Sequence, residues 1–296
     1  MASVQDLKRR IRSIRNTRKI TKALQLVAGA RLRKAQLRIE AMRPYADTMR
    51  ELMEGVARAS ASVRNLPLLQ TREVKTVAIV PLTGDRGLAG GFNAQILRAS
   101  VALERRLRGE GKQVRWLVVG RKGDSSLRFR RFELDASFGG FADRPVYQNA
   151  QSVAHKLIEL YSEEQVDEVI VVYNAFVSPL VQRVTETTVL PIATDVLETS
   201  DDERKQNALR GDFIFEPEPE EILARLLPVY LETELYRALL ESAASFLGAQ
   251  MTAMSNASKN AGELVDQLTL AMNRARQSEI TQEILEVVAG ADALTG

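Results

Sequence analysis

The segment of this 296-residue chain most suggestive of chemistry is Gly84 to Asn93, GDRGLAGGFN, which follows a β-rich run and precedes a helical one. Glycine-rich turns between a strand and a helix are where backbone amides cradle phosphates. This one carries no Gly-Lys-Ser/Thr and lacks Gly-x-Gly-x-x-Gly spacing. It reads instead as a tight turn in which Gly87, Gly90 and Gly91 permit close backbone approach, with Asp85 and Arg86 available as an exposed charged contact.

The other candidates are weaker. His155 is the single histidine and lies in a helical pattern with no Ser–Asp constellation beside it, so a structural or surface role is expected. Glu163 with Glu164, and Glu220 with Glu221, are adjacent on helices, point in different directions and read as solvated charge. Zero cysteines exclude disulfides, thiolate metal sites, iron–sulfur ligation and thiol catalysis, and one histidine excludes a His-based zinc cluster.

The charges are distributed unevenly. From Met1 to Arg43 there are 13 Lys or Arg against Asp6 and Glu40, a net of +11, whereas Glu216 to Gly296 carries 13 Asp or Glu against five Lys or Arg, a net of −8. Opposite ends of this kind invite pairing. The basic arm could also bind nucleic acid, since Lys and Arg neutralise phosphates. No aromatic residue precedes Tyr45 to stack bases, and the acidic arm competes internally, so nucleic-acid binding ranks second. A third class, an enzyme using the middle domain, ranks below it.

The elements that must position these residues follow from periodicity. Steps of three and four from Val4 give Leu7, Ile11, Ile14, Arg18, Thr21, Gln25, Ala28, Leu32, Ala35, Ile39 and Met42, an apolar stripe broken only at its centre. There Ile20, Leu24 and Val27 form a second, rotated stripe, which predicts a helix touching more than one partner. Pro44 is expected to kink or briefly interrupt it. From Ile222 the same stepping runs to Ala289, a helix approaching ~100 Å at 1.5 Å per residue. A helix so long needs a partner along its side, and small residues from Ala257 to Ala275 suit a slim coil.

Between the arms the period becomes strand-like. Val74 to Leu82, Gln113 to Gly120 and Val166 to Asn174 are apolar runs of strand length, separated by helical patterns at Ala94 to Arg108, Arg121 to Phe129 and Tyr147 to Glu164. Val181 to Ile192 is a final extended stretch, and Leu197 to Gly211 reads as an exposed loop. The alternation predicts a small, mostly parallel α/β sheet covered by helices. The expected divisions are an N-terminal coiled-coil helix over 1–60, a linker over 61–73, a Rossmann-like α/β domain over 74–211, a connection over 212–219 and a C-terminal coiled-coil helix over 220–296. No apolar run is long enough to span a bilayer and MASVQDLKRR lacks the core of a secretion signal, so a cytoplasmic chain is expected.

Three collinear segments, RKITKALQLVAGARLRKA from Arg18, TGDRGLAGGFN from Thr83 and RARQSEITQEIL from Arg274, resemble the gamma subunit of F-type ATP synthases. VVAGADAL, EPEPEEIL and QMTAMSNASKNAGEL extend the resemblance along the chain. It implies a rotor whose terminal helices form an antiparallel coiled coil within a ring of alpha and beta subunits. The α/β domain would lie outside that ring, joined to the epsilon subunit and the membrane-embedded ring of c subunits.

The resemblance also implies residue roles. Lys19, Ile20, Thr21, Lys22 and Leu24, with leucine where the family usually has methionine, would meet the catalytic ring, as would Arg276, Gln277 and Thr281. Asp85, Arg86 and Gly87 match the charged turn, and Phe215 and Glu216 match a position near the c-ring or epsilon contact. Ala89 stands where many relatives carry cysteine. No long cysteine-bearing insertion of the chloroplast kind is present, so disulfide control is not expected. Catalysis would lie on the partners, leaving no catalytic site or cofactor here, no nucleic acid, and peripheral association with the cytoplasmic face of a bacterial membrane through partner subunits.

Overall fold

The structure is a computed structural model that describes residues 3–59, 66–193 and 218–295. Its elements are α1 (Val4–Ala59), β1 (Thr76–Pro81), α2 (Phe92–Gly109), β2 (Gln113–Val119), α3 (Arg121–Phe129), β3 (Ala136–Phe138), α4 (Tyr147–Ser162), β4 (Glu168–Phe176), β5 (Gln182–Leu190) and α5 (Pro219–Thr295). Contacts divide the chain into two compact units, residues 29–250 and residues 1–28 with 251–296, and both long helices contribute to each.

In the larger unit the strands lie in the order β3-β2-β1-β4-β5. The pairings β1–β2, β1–β4 and β2–β3 are parallel, and β4–β5 is antiparallel. Mostly parallel sheets need both faces covered, which is why β1, β2 and β4 read as almost unbroken apolar runs. Strand alternation sends Ala78, Val80, Leu82, Leu117, Val119, Val169 and Val171 into a core shared with Met53 and Val56 of α1, with α4, and with Leu223, Leu227, Leu231 and Leu235 of α5. The opposite face is covered by α2 and α3, through Ile96, Leu103 and Leu127. Two serines of α5 reach the ends of the strands. Ser242 Oγ donates to the Leu82 carbonyl at 3.2 Å and Ser245 Oγ to the Asn174 carbonyl at 2.8 Å.

In the smaller unit Leu7, Ile11, Thr21 and Ala28 of α1 are buried, as are Met254, Ala261 and Val265 of α5. This is the stripe expected on α1. A Cβ on Gly262 would lie 3.4 Å from the guanidinium carbon of Arg18, so the glycine makes room for the one cation on that stripe. Arg18 thus faces Gly262 in this unit, whereas within the larger unit Met42 shares a cavity with Arg237 and Leu240, and Met53 and Val56, farther along α1, lie in the core with Leu223 and Leu227. Residue numbers rise along one helix as they fall along the other, so α1 and α5 run antiparallel.

One expectation needs correction and two gain detail. Helix α1 continues through Pro44 without interruption. Proline there removes the bond to the carbonyl of Glu40, whose exposed position lets water replace it. Near the start of α5 the buried row is Leu223, Leu227, Leu231 and Leu235, shifted from the expected Ile222 row because this part of the helix packs on a sheet. Finally, the oppositely charged arms do pair, but through their buried stripes: no ion pair joins α1 and α5 among the described residues of the smaller unit, where Arg9 pairs with Asp6 and Lys259 with Glu263 on their own helices. Long exposed side chains in water gain little from contact pairing. Phe213 to Pro217 and the expected loop from Leu197 to Gly211 lie outside the described residues.

Candidate functional surfaces

The glycine-rich turn is a structural knot. Gly84 N donates to Asn93 Oδ1 at 2.8 Å and Asn93 Nδ2 donates to the Arg86 carbonyl at 3.2 Å, closing the turn on the first residues of α2. Asp85 Oδ1 accepts the amides of Arg121 at 3.1 Å and Gly140 at 2.9 Å, and Oδ2 accepts that of Ala142 at 2.9 Å. One carboxylate therefore ties the turn after β1 to the start of α3 and to the loop after β3.

The remaining amides at the start of α3 are also engaged. Lys122 N donates to the Gly84 carbonyl and Gly123 N to Thr83 Oγ1. The amides at the start of α3 are thus spent within the protein, which leaves none of the three open to a phosphate there. The close approaches fall at Gly84, Gly120 and Gly123, not at Gly87 and Gly91. A Cβ would come within 2.9 Å of the Phe246 ring at Gly84, and within 2.1 Å of the Thr83 carbonyl oxygen at Gly120, whose φ is +96°. Gly90, at φ +57°, takes the left-handed conformation that the tight turn requires.

Arg86 is exposed and pairs with Asp143 at 3.5 Å. Burial pushes the Asp143 carboxyl up from its ordinary range, with the Arg86 guanidinium opposing. Leu88 stands 64% exposed at φ +65°. A bulky side chain held in the left-handed region and turned to solvent marks this tip as a surface feature. His155 meets Glu232 at 3.3 Å, and the buried Glu232 also accepts Tyr147 Oη at 2.7 Å and Gln151 Nε2 at 3.0 Å. Burial and then the Glu232 hydrogen bond push the Tyr147 hydroxyl above its usual range. This cluster fastens α4 to α5.

The helical candidates differ among themselves. Lys19 and Lys22 are exposed, with Lys22 Nζ donating to Gln25 Oε1 at 3.3 Å. Ile20 is 61% exposed and Leu24 half-buried. Thr21 is buried, with Oγ1 donating to the Arg18 carbonyl at 3.0 Å. It faces into the chain's own helical unit.

On α5, every residue from Arg276 to Ala289 is exposed, including Gln277 and Thr281. Thr281 Oγ1 is spent on the Gln277 carbonyl at 2.9 Å. Ile284, Leu285 and Val287 stand in solvent on this stretch. Phe215 and Glu216 lie outside the described residues. Among the described residues there is no group of acids and histidines that could hold a metal ion, and no helix is long and apolar enough to cross a membrane.

Comparison with known proteins gives one consistent result. A sequence model of the family described as ATP synthase matches residues 3–294. The ATP synthase gamma chain of Rubrobacter xylanophilus is 48% identical over 295 residues, covering 99% of both chains. That of Moorella thermoacetica is 47% identical over 294 residues, covering 99% of this chain and all of the relative. Among solved structures, a chain from the central stalk and c ring of the Tetrahymena thermophila mitochondrial ATP synthase superposes with a TM-score of 0.60 at 26% identity, covering 81% of this chain and 99% of that one. A chain of the Euglena gracilis mitochondrial ATP synthase gives 0.67 at 17% identity over 98% and 94%, a likeness of fold. With paired long helices flanking a five-stranded sheet, and similarity along almost its whole length, the chain belongs to the family of ATP synthase gamma chains.

Proposed function

We propose that this chain is the central rotor stalk of an F-type ATP synthase, coupling rotation of a membrane c ring to the catalytic alpha and beta subunits. The observation that carries this reading is the last stretch of α5. A helix that is exposed on all sides from Arg276 to Ala289 while presenting Ile280, Ile284, Leu285, Val287 and Val288 has no partner among the described residues of its own chain. Such a row is an interaction surface awaiting a collar.

The chain is a non-catalytic subunit. Its task is to present different faces to the catalytic subunits, and it can bias their states only through contacts that differ between them. Lys19, Ile20, Lys22 and Leu24 on α1, and Arg276, Gln277 and Thr281 on α5, are the residues assigned to that surface. Thr21, being buried, acts by holding α1 in register. Asp85, Arg86 and Gly87 shape a turn whose exposed tip includes Leu88. Epsilon and the c ring are the partners assigned to the α/β domain, with Phe215 and Glu216 among the contacts, at the cytoplasmic face of the cell membrane.

Co-expression with alpha and beta subunits tests the reading. One copy held in an alpha–beta ring with ATP hydrolysis is expected. Arg276→Ala and Gln277→Ala are expected to reduce turnover of that assembly while leaving the thermal unfolding of the isolated chain unchanged. Failure to assemble with folded partners, or equal loss of folding and turnover in these variants, would refute it.

A further inference from the structure

We propose that the groove between α2 and α3 is a docking surface for an acidic, amphipathic segment of a partner polypeptide. The groove encloses about 520 Å³, with Leu97 and Val101 along its floor and Arg98, Arg105, Lys122 and Arg130 around it. All four cations are exposed, and none has a carboxylate partner among the described residues. Three of their neighbours on the same helices are neutralised. Arg106 pairs with Glu186 at 2.8 Å, Arg108 with Glu104 at 2.6 Å and Arg128 with Asp124 at 2.9 Å. Four unpaired cations are thus gathered around one concavity, where they repel one another until an anion enters.

Geometry selects the kind of anion. Arg98 and Arg105 are seven residues apart on α2 and Lys122 and Arg130 eight apart on α3, so each pair is separated by roughly 10–12 Å along its helix. A small phosphate ester would draw on backbone amides as well as side chains, and the amides at the start of α3 are already bound to Gly84, Thr83 and Asp85. What remains is a charged frame around an apolar strip at Ala94, Leu97 and Val101, spaced three and four residues apart. Its complement is a segment whose carboxylates recur one or two helical turns apart beside an apolar row.

This inference rests on the chain being an assembled subunit, so assembly with alpha and beta is established first, and its absence refutes the functional reading. The complex purified with epsilon and the c ring also present, the partners assigned to the α/β domain, is then treated with a carbodiimide, which joins a lysine amine to a carboxylate in ion-pair contact, and the crosslinked peptides are mapped by mass spectrometry. The expected product joins Lys122 to an Asp or Glu of another subunit. In R98E/R105E its yield falls by about ten-fold, and in R106E/R108E, with the same change in net charge, it persists. Lys122 left uncrosslinked and still open to acetylation within the complex would overturn the proposal. So would loss of binding to phosphatidylglycerol vesicles in R98E/R105E without any Lys122 crosslink, a result that assigns the groove to lipid headgroups.

Discussion

Replacing Asp85 by alanine separates two roles that sequence similarity alone merges, a contact to another subunit and a tie within the domain. The carboxylate accepts three backbone amides, from Arg121, Gly140 and Ala142. Hydrogen bonds to an ionised acceptor each contribute about 1.5–3 kcal/mol net when well buried, and partial exposure of Asp85 lowers the sum of the three to about 2–4 kcal/mol. Asp85→Asn keeps the two bonds at Oδ1 if its amide oxygen takes that place, but sets an amide nitrogen against the Ala142 N–H, for about half the loss. Urea unfolding of the isolated chain, followed by the fluorescence of Trp116, is the assay. Trp116 is the single tryptophan and is buried in β2, two strand positions before Val118 at the same end of the sheet as the turn. With a slope of about 2 kcal/mol per molar urea, Asp85→Ala shifts the midpoint of this transition down by about 1–2 M. An unchanged midpoint together with failure to assemble would refute the tie and restore Asp85 as an intersubunit contact.

Two further outcomes are expected. Leu24→Lys, on the half-buried rotated stripe of α1, changes the stability of the isolated chain by no more than about 1 kcal/mol, yet uncouples proton pumping from ATP hydrolysis in the assembled enzyme; unchanged pumping would remove Leu24 from the contact surface. Asp167→Asn destabilises the α/β unit by about 2–3 kcal/mol at neutral pH. Although burial pushes this carboxyl up, the Thr76 and Lys75 amides and the Arg72 guanidinium at 2.7 Å hold it below its ordinary range. A depressed carboxyl contributes its full stabilisation above the ordinary carboxylate pKa and loses it as pH falls through the folded value. The wild type therefore loses stability below about pH 4, and the variant shows a flatter profile there by urea titration at each pH.

Much of this was legible in the residues. Parallel strands buried on both faces announced themselves as VAIV, WLVV and VIVV, because only a fully covered sheet tolerates such runs. The stripe from Val4 to Ala28 declared its helix and its buried face together. Three-residue β3 was not legible, since Ala-Ser-Phe has no period to read and exists only by pairing with Leu117 to Val119. The role of Asp85 was half legible. Its place in a charged turn was visible, but its three amide partners lie 36 to 57 residues away, beyond any local pattern. Gly120 and Gly123 were missed for the same reason, as a side chain there would meet the carbonyl oxygen and the Oγ1 of Thr83, respectively. Nor did composition single out Arg98, Arg105, Lys122 and Arg130 from the other cations, because only folding reveals which arginines find acids.

The bare end of α5 bears on how the cell must make this protein. Ile280, Ile284, Leu285, Val287 and Val288 cost nothing once surrounded, but on a newly released chain they offer the same surface to chaperones, to proteases and to one another. Synthesis in excess of its partners would feed degradation or aggregation, so the supply of this subunit must be matched to the number of rings waiting to enclose it.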